Sequence, residues 1–215
     1  MLNIFDFLII GLFIVIIVSL YGILKPENAK NENISTKQIK KKIVKNFVNI
    51  KDKKVLAEAI EQMFKKNIEE GTNKLSKIDR EFSLKSFAED SKEIFKKILN
   101  FFEKKDRKNL KPLVSEKVYN VFNESIKELE KKEQTLDTEI VRFKDIIIKD
   151  INVENKLASI IIEFTSEQTT VLKDSNGNII KGDDNYLETI TDVWVFVRNY
   201  NVKNSKWLLY ETVEL

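Results

Sequence analysis

Hydrophobic and polar positions divide the chain into stretches of different period. The first, Phe7 to Leu24 (FLIIGLFIVIIVSLYGIL), is an unbroken run of 18 uncharged residues. As a helix it reaches about 27 Å, close to the roughly 30 Å of a bilayer's hydrocarbon core. Asp6 is the sole charged side chain ahead of it, and no small-x-small site follows, so residues 1–24 read as a transmembrane anchor rather than a cleaved signal. Lys25–Thr36 has no apolar period and contains Pro26, as a linker does. Ile39, Ile43, Phe47 and Ile50 then recur at spacings of 4, 4 and 3, which places them on one helical face. Leu56, Ala59, Ile60, Met63 and Phe64 predict a second helix over Val55–Ile68. Gly71 stands as its C-cap and Lys74–Arg80 as a connector. Residues 25–80 therefore read as a basic, partly helical stalk.

From residue 81 to 215 the pattern is that of one α+β domain. Leu84, Phe87, Ala88, Ile94, Phe95, Ile98, Leu99 and Phe102 mark one face of a helix. Ser86 and Glu89 form a capping box if the helix proper begins there. Of the adjacent Phe101 and Phe102, one faces inward well. After a break near Asp106 and the short segment RKNLKPLV, Ser115 is a good N-cap for a helix striped by Val118, Phe122, Ile126 and Leu129. Beyond Gln134 β-branched residues take over. Thr138–Ile151, Leu157–Leu172, Tyr186–Tyr200 and Trp207–Val213 predict four strands. Along the third, Val193, Val195 and Val197 alternate with Trp194, Phe196 and Arg198. Short breakers separate the runs, so the sheet is antiparallel, with three helices covering one face.

Composition narrows the chemistry. Among 215 residues there is no His and no Cys. This removes His- and Cys-based catalysis, disulfides, and zinc, haem or iron–sulfur sites of the usual ligand types. The net charge of +3 is too small to argue for nucleic acid, and neither a phosphate-cradling glycine motif nor a basic-aromatic platform is present. Lys, Asn and Ile together supply 81 residues. All three have A/T-rich codons, so lysine richness by itself carries little. Its placement carries more. Residues 37–54 hold eight Lys against Asp52, whereas none precedes the apolar run. The positive-inside rule then keeps the rest of the chain on the side of synthesis, the cytoplasm of a bacterium. Lys37, Lys40, Lys41, Lys42 and Lys45, with Phe47 on the apolar face, are candidates to lie on anionic headgroups. The alternative is a solvated helix packed on another helix.

Three features together carry a resemblance. They are FAEDSKEIFKKILNFFEKKDRKNLKPLVSEKVYNVFNESIKELEKK (Phe87–Lys132), KDSNGNIIKGD (Lys173–Asp183), and TDVWVFVRN (Thr191–Asn199) followed by WLLYET (Trp207–Thr212). This part of the chain resembles the Tim-forty-four-like domain family, over about residues 82–215. That family includes the peripheral subunit that tethers the import motor to the mitochondrial inner-membrane presequence translocase, and bacterial membrane-anchored relatives. The resemblance implies a nuclear-transport-factor-two-like cone, with a curved four-stranded sheet and helices enclosing an apolar pocket. Candidate pocket residues are Phe95, Tyr119, Phe122, Phe164, Trp194 and Phe196, each of which is otherwise ordinary core. It also implies contact with cardiolipin-containing membrane and, in mitochondrial members, with a heat-shock-seventy-type chaperone.

Catalysis is not expected, nor any cofactor or metal. Asp174-x-Asn176-x-Asn178 begins like a calcium loop, but Ile179 and Asn185 stand where Gly and Glu are needed. It reads as a turn with Gly177 at positive φ. Glu163, Glu167 and Asp192 would serve as acid or base only if they faced the pocket. The expected function is a single-pass, inner-membrane adaptor that binds protein partners. These would be a chaperone or translocation and assembly components, together with anionic lipid and no nucleic acid. Alternatives are a lipid or hydrophobic-ligand binder, and a location on the matrix side of the mitochondrial inner membrane.

Overall fold

The computed structural model describes residues 53–213. The apolar run at 7–24, the linker, and the membrane-surface candidates Lys37, Lys40, Lys41, Lys42, Lys45 and Phe47 lie outside them. Among the described residues no helix is long and apolar enough to cross a membrane.

Among the described residues four helices precede the sheet. They are α1 (Lys53–Ile78), α2 (Leu84–Glu103), the single turn α3 (Arg107–Leu110) running into a 3₁₀ turn (Lys111–Leu113), and α4 (Glu116–Lys131). Five strands follow: β1 (Thr135–Glu154), β2 (Leu157–Lys173), β3 (Ile179–Gly182), β4 (Glu188–Asn199) and β5 (Leu208–Val213). The α+β class and the antiparallel sheet match the sequence reading, whereas the element counts differ. Strand order is β1-β2-β4-β5, with β3 also pairing β2. The additional strand is β3, where Gly182 pairs with Val171 and Ile179 with Lys173. Its four residues are too few for an alternating pattern to show.

Local chemistry accounts for the joints. Asn155 and Lys156, at φ 49° and 61°, make the two-residue hairpin between β1 and β2, a turn that needs positive φ at both central positions. Asp174 takes the amides of Asn176 and Asn178 on one carboxylate oxygen and the Asn178 side-chain amide on the other. With Gly177 at φ 84° this is the expected turn. Ser115 caps α4 by accepting the Val118 amide, and its hydroxyl donates to the Tyr210 carbonyl. One side chain thus ends a helix and fixes it to β5. Ser83, not Ser86, caps α2.

The largest departure concerns α1. The helix does not end at Gly71, and the expected connector from Lys74 is helical to Ile78. Met63, Phe64, Asn67 and Ile68 are half-buried, and Gly71 and Leu75 are buried, with α1 packed against β1. Gly71 is there for space rather than for a cap. A Cβ at that position would stand 2.5 Å from Ile151 Cγ2 and 2.7 Å from the Ile151 carbonyl oxygen. At the end of α1, Asp79 accepts from Arg198 Nη1 at 3.2 Å and from the Tyr200 hydroxyl at 3.1 Å, and the Arg198 guanidinium lies over the Tyr200 ring. Part of what the sequence assigned to the stalk is therefore packed on the sheet.

Gly71→Ala is expected to destabilise the protein by about 1–3 kcal/mol from overpacking, although alanine favours helix by about 1 kcal/mol. Urea denaturation of the two forms checks this. An unchanged or raised midpoint would mean the α1–β1 contact is looser than described.

Candidate functional site

The face of the sheet that carries α2 and α4 is the place where function was expected. Register between β2 and β4 is unbroken. It pairs Ala158 with Arg198, Ile160 with Phe196, Ile162 with Trp194, Phe164 with Asp192, Ser166 with Ile190, and Gln168 with Glu188. All these residues share one face, the inner one. Along β2 that face is apolar from Ala158 to Phe164 and polar from Ser166 through Gln168 to Thr170, yet all of it is buried.

Of the six candidate pocket residues, Phe95, Phe122, Phe164, Trp194 and Phe196 are each no more than 3% exposed, and Tyr119 is half-buried. Phe95 lies flat on Trp194, with centroids 4.3 Å apart and planes at 20°, and touches Phe164 at 5.0 Å. Trp194 meets Phe164 and Phe196 edge-on or tilted. Phe122 belongs to a separate contact with Phe102, at 5.5 Å, and Tyr119 lies under Lys111 Nζ at 5.4 Å. The six do not form one lining. Four of them, Phe95, Phe164, Trp194 and Phe196, form a connected set of ring contacts inside the core. Of the adjacent pair at the end of α2, Phe102 is the one that points in; Phe101 is half-buried.

The three carboxylates separate by face. Glu163 and Glu167 lie on the outer side of β2. Glu163 pairs with Lys149 at 3.0 Å, and Glu167 pairs with Arg142 at 2.6 Å and Lys144 at 3.2 Å. The hydrogen bond from Arg142 holds Glu167 below the usual carboxylate range. Asp192 alone is on the inner face. It is 5% exposed, and among the described residues it makes no hydrogen bond or ion pair. Burial alone raises its carboxyl to about 7.

Two more polar atoms beside it are buried without a hydrogen-bond partner among the described residues: Trp194 Nε1 and Thr212 Oγ1. Trp194 is two residues from Asp192 on the same face, and Thr212 is directly opposite Trp194 on β5. The Thr-Asp-x-Trp spacing shows the first neighbourhood in the sequence. The second is hidden by the register shift between Val195 and Phe196, which no pattern of apolar residues reveals.

The inner face thus sets one carboxyl, one indole N–H and one hydroxyl beside a packed aromatic core. Among the described residues no charged group pairs with Asp192.

Because the folded protein holds the Asp192 proton more tightly than the unfolded chain does, rising pH between about 4 and about 7 favours unfolding. The contribution of Asp192 is best at low pH and lost as pH climbs through about 7. Asp192→Asn is expected to abolish that fall. At pH 8 it should be more stable than the wild type, by about 4 kcal/mol at most. Denaturation of both forms at pH 4.5, 6 and 8 measures this, and a constant difference across the range would refute it.

Comparison with known proteins places these features among relatives. A sequence model of the Tim44-like domain matches residues 68–214. The large ribosomal subunit protein mL45 of Drosophila melanogaster is 23% identical over 192 residues, covering 86% of this chain and 48% of that protein. The chain spans about half the length of that curated relative. The solved intermembrane space region of the chloroplast protein ARC6 is similar at 12% identity and a TM-score of 0.39, over 59% of this chain and 94% of that one, a likeness too distant to carry an argument. The mL45 alignment covers more of the chain than residues 68–214, so it reaches back into the lysine-rich segment.

Proposed function

This chain belongs to the Tim44-like domain family, and on that premise we propose that it is a non-enzymatic adaptor that binds protein partners at an inner membrane. The observation that carries the reading is the match over residues 68–214, which takes in the last three turns of α1 together with the whole sheet. We read the helix-and-sheet layer as the nuclear-transport-factor-two-like cone of that family. Residues 37–54, with their eight Lys, are the proposed membrane-facing part, each lysine worth up to about 1 kcal/mol near an anionic surface. The protein partners proposed are a heat-shock-seventy-type chaperone, translocation or assembly components or, by the likeness to a large-subunit protein, the ribosome.

The family's mitochondrial members support a seat on the matrix side of the mitochondrial inner membrane. A bacterial single-pass arrangement rests on the apolar run at 7–24, which is outside the described residues. The absence of catalysis is part of the proposal. It is supported by the ion-paired state of Glu163 and Glu167 and by the isolation of Asp192.

A second reading, a hydrophobic-ligand binder, is favoured by one observation: the unpartnered polar groups around Trp194.

The adaptor reading is checked at its membrane contact. A protein beginning at residue 31 is mixed with vesicles of phosphatidylcholine containing cardiolipin, with and without Lys37, Lys40, Lys41, Lys42 and Lys45 replaced by Gln. Binding is expected to weaken at least about tenfold and to lose most of its salt dependence. Equal binding by the two forms would remove the lysine segment from the account.

A further inference from the structure

β3 and β4 are two parts of one course along β2. Val171 pairs with Gly182 and Gln168 with Glu188, so Thr169 and Thr170 stand opposite the five residues 183–187. The surplus makes an excursion, in which the Tyr186 amide donates to the Asp183 carbonyl. Tyr186 and Leu187 on it, and Ile179 and Ile180 in β3, are each 42–63% exposed. The register shift between Leu172 and Lys173 puts an extra residue in β3, so the two isoleucines do not simply alternate between faces. One exposed apolar side chain needs no reason, but four within about 17 Å along one strand do.

Charge gives this patch a sign. Asp183, Asp184 and Glu188 flank Tyr186 and Leu187 in the chain, and among the described residues none of the three has an ion pair. Lys181 stands against them; Lys173 is held by Asp137 at 2.6 Å. Such a border repels an anionic lipid surface and attracts a cationic apolar segment.

The chain carries a segment of that kind. Ile39, Ile43, Phe47 and Ile50 recur at helical spacing within residues 37–54, among eight Lys and Asp52. α1 leads from it to the sheet in a fixed direction. Asp79 meets Arg198, which pairs with Ala158; Gly71 lies at Ile151; Asn67 donates to Asp150 at 3.0 Å. Going back along α1 is therefore going back along β1 toward Thr135. At that end Thr135 pairs with Lys173, and Lys173 with Ile179 of β3. The helix rises about 27 Å from Gly71 back to Lys53, and β2 runs about 43 Å from Ile160, level with Ile151, to Lys173. About 16 Å remains, and residues 37–52 span about 24 Å even as a helix. The lysine segment is long enough to reach β3.

We propose that the apolar, acid-bordered patch of Ile179, Ile180, Tyr186 and Leu187 seats the chain's own residues 37–52 through their Ile39–Ile50 stripe. The patch and an anionic membrane then compete for the same lysines. The competition rests on the membrane contact proposed above for that segment; the seat itself does not.

The full chain, with Phe47 replaced by photoactivatable benzoylphenylalanine, is reconstituted in phosphatidylcholine vesicles with and without cardiolipin. Light and heavy isotope-labelled chains are mixed, and crosslinked peptides are identified by mass spectrometry. In the neutral vesicles crosslinks are expected to fall in residues 179–187 of the same chain. Cardiolipin is expected to reduce them at least about fivefold in favour of lipid. Ile180→Ser with Tyr186→Ser, both exposed positions, and separately Asp183→Lys with Asp184→Lys, are each expected to reduce them at least about fivefold in the neutral vesicles. Absence of crosslinks to 179–187, or crosslinks unchanged in both double variants, would overturn the seat. Crosslinks that join light to heavy chains would overturn it in favour of a second copy. Crosslinks within one chain that cardiolipin leaves unchanged would uphold the seat and overturn the competition, and with it the membrane contact.

Discussion

Phe95 lies on Trp194 with their ring planes 20° apart, and this contact joins the helical layer to the centre of the sheet. Trp194 sits on β4, whose neighbours are β2 and β5, and Phe95 is the middle of the buried stripe of α2. The contact continues through Phe164 and Phe143 toward β1, and through Phe196 and Phe87 to Trp207. Each aromatic pair adds about 0.5–1.5 kcal/mol beyond the area it buries, so the chain of rings is the main lateral tie of the domain. It also explains why the expected pocket lining is solid in its centre. The rings pack on one another, and the inner face turns polar only beyond Phe164.

The second tie holds α1 against the sheet. α1 covers an edge strand, and an uncovered edge invites pairing with other chains. Gly71 lets the helix approach the Ile151 backbone, and Asp79 binds Arg198 and Tyr200 just after the helix ends. These contacts tie α1 to β1 and to the end of β4.

Much of this was legible along the chain. The stripe from Leu84 to Phe102, the cap at Ser115, the turn at Asp174 and Gly177, and the long β-branched runs each follow from local chemistry, and each is where it was expected. What was not legible depends on distance. Gly71 after an apolar stripe looks like a helix end, because nothing near it in sequence announces the Ile151 backbone. Asp79 and Arg198 are 119 residues apart. Four residues of β3 are too few to show a period. The division of Glu163, Glu167 and Asp192 between two faces needed the register, although Asp192 and Trp194 already share a face by their spacing of two. The bulge that brings Thr212 opposite Trp194 leaves no trace in hydrophobicity.

The family to which the chain belongs supports a membrane-associated interaction role in general, and the most direct test of it is made in the native membrane. The tagged full chain is crosslinked in place, membranes are separated from the soluble fraction, and its neighbours are identified by mass spectrometry. The account predicts recovery with the inner membrane and a reproducible set of protein neighbours, drawn from chaperones, translocation or assembly components or the ribosome. Recovery in the soluble fraction, or in membranes with no protein neighbour above an untagged control, would contradict it.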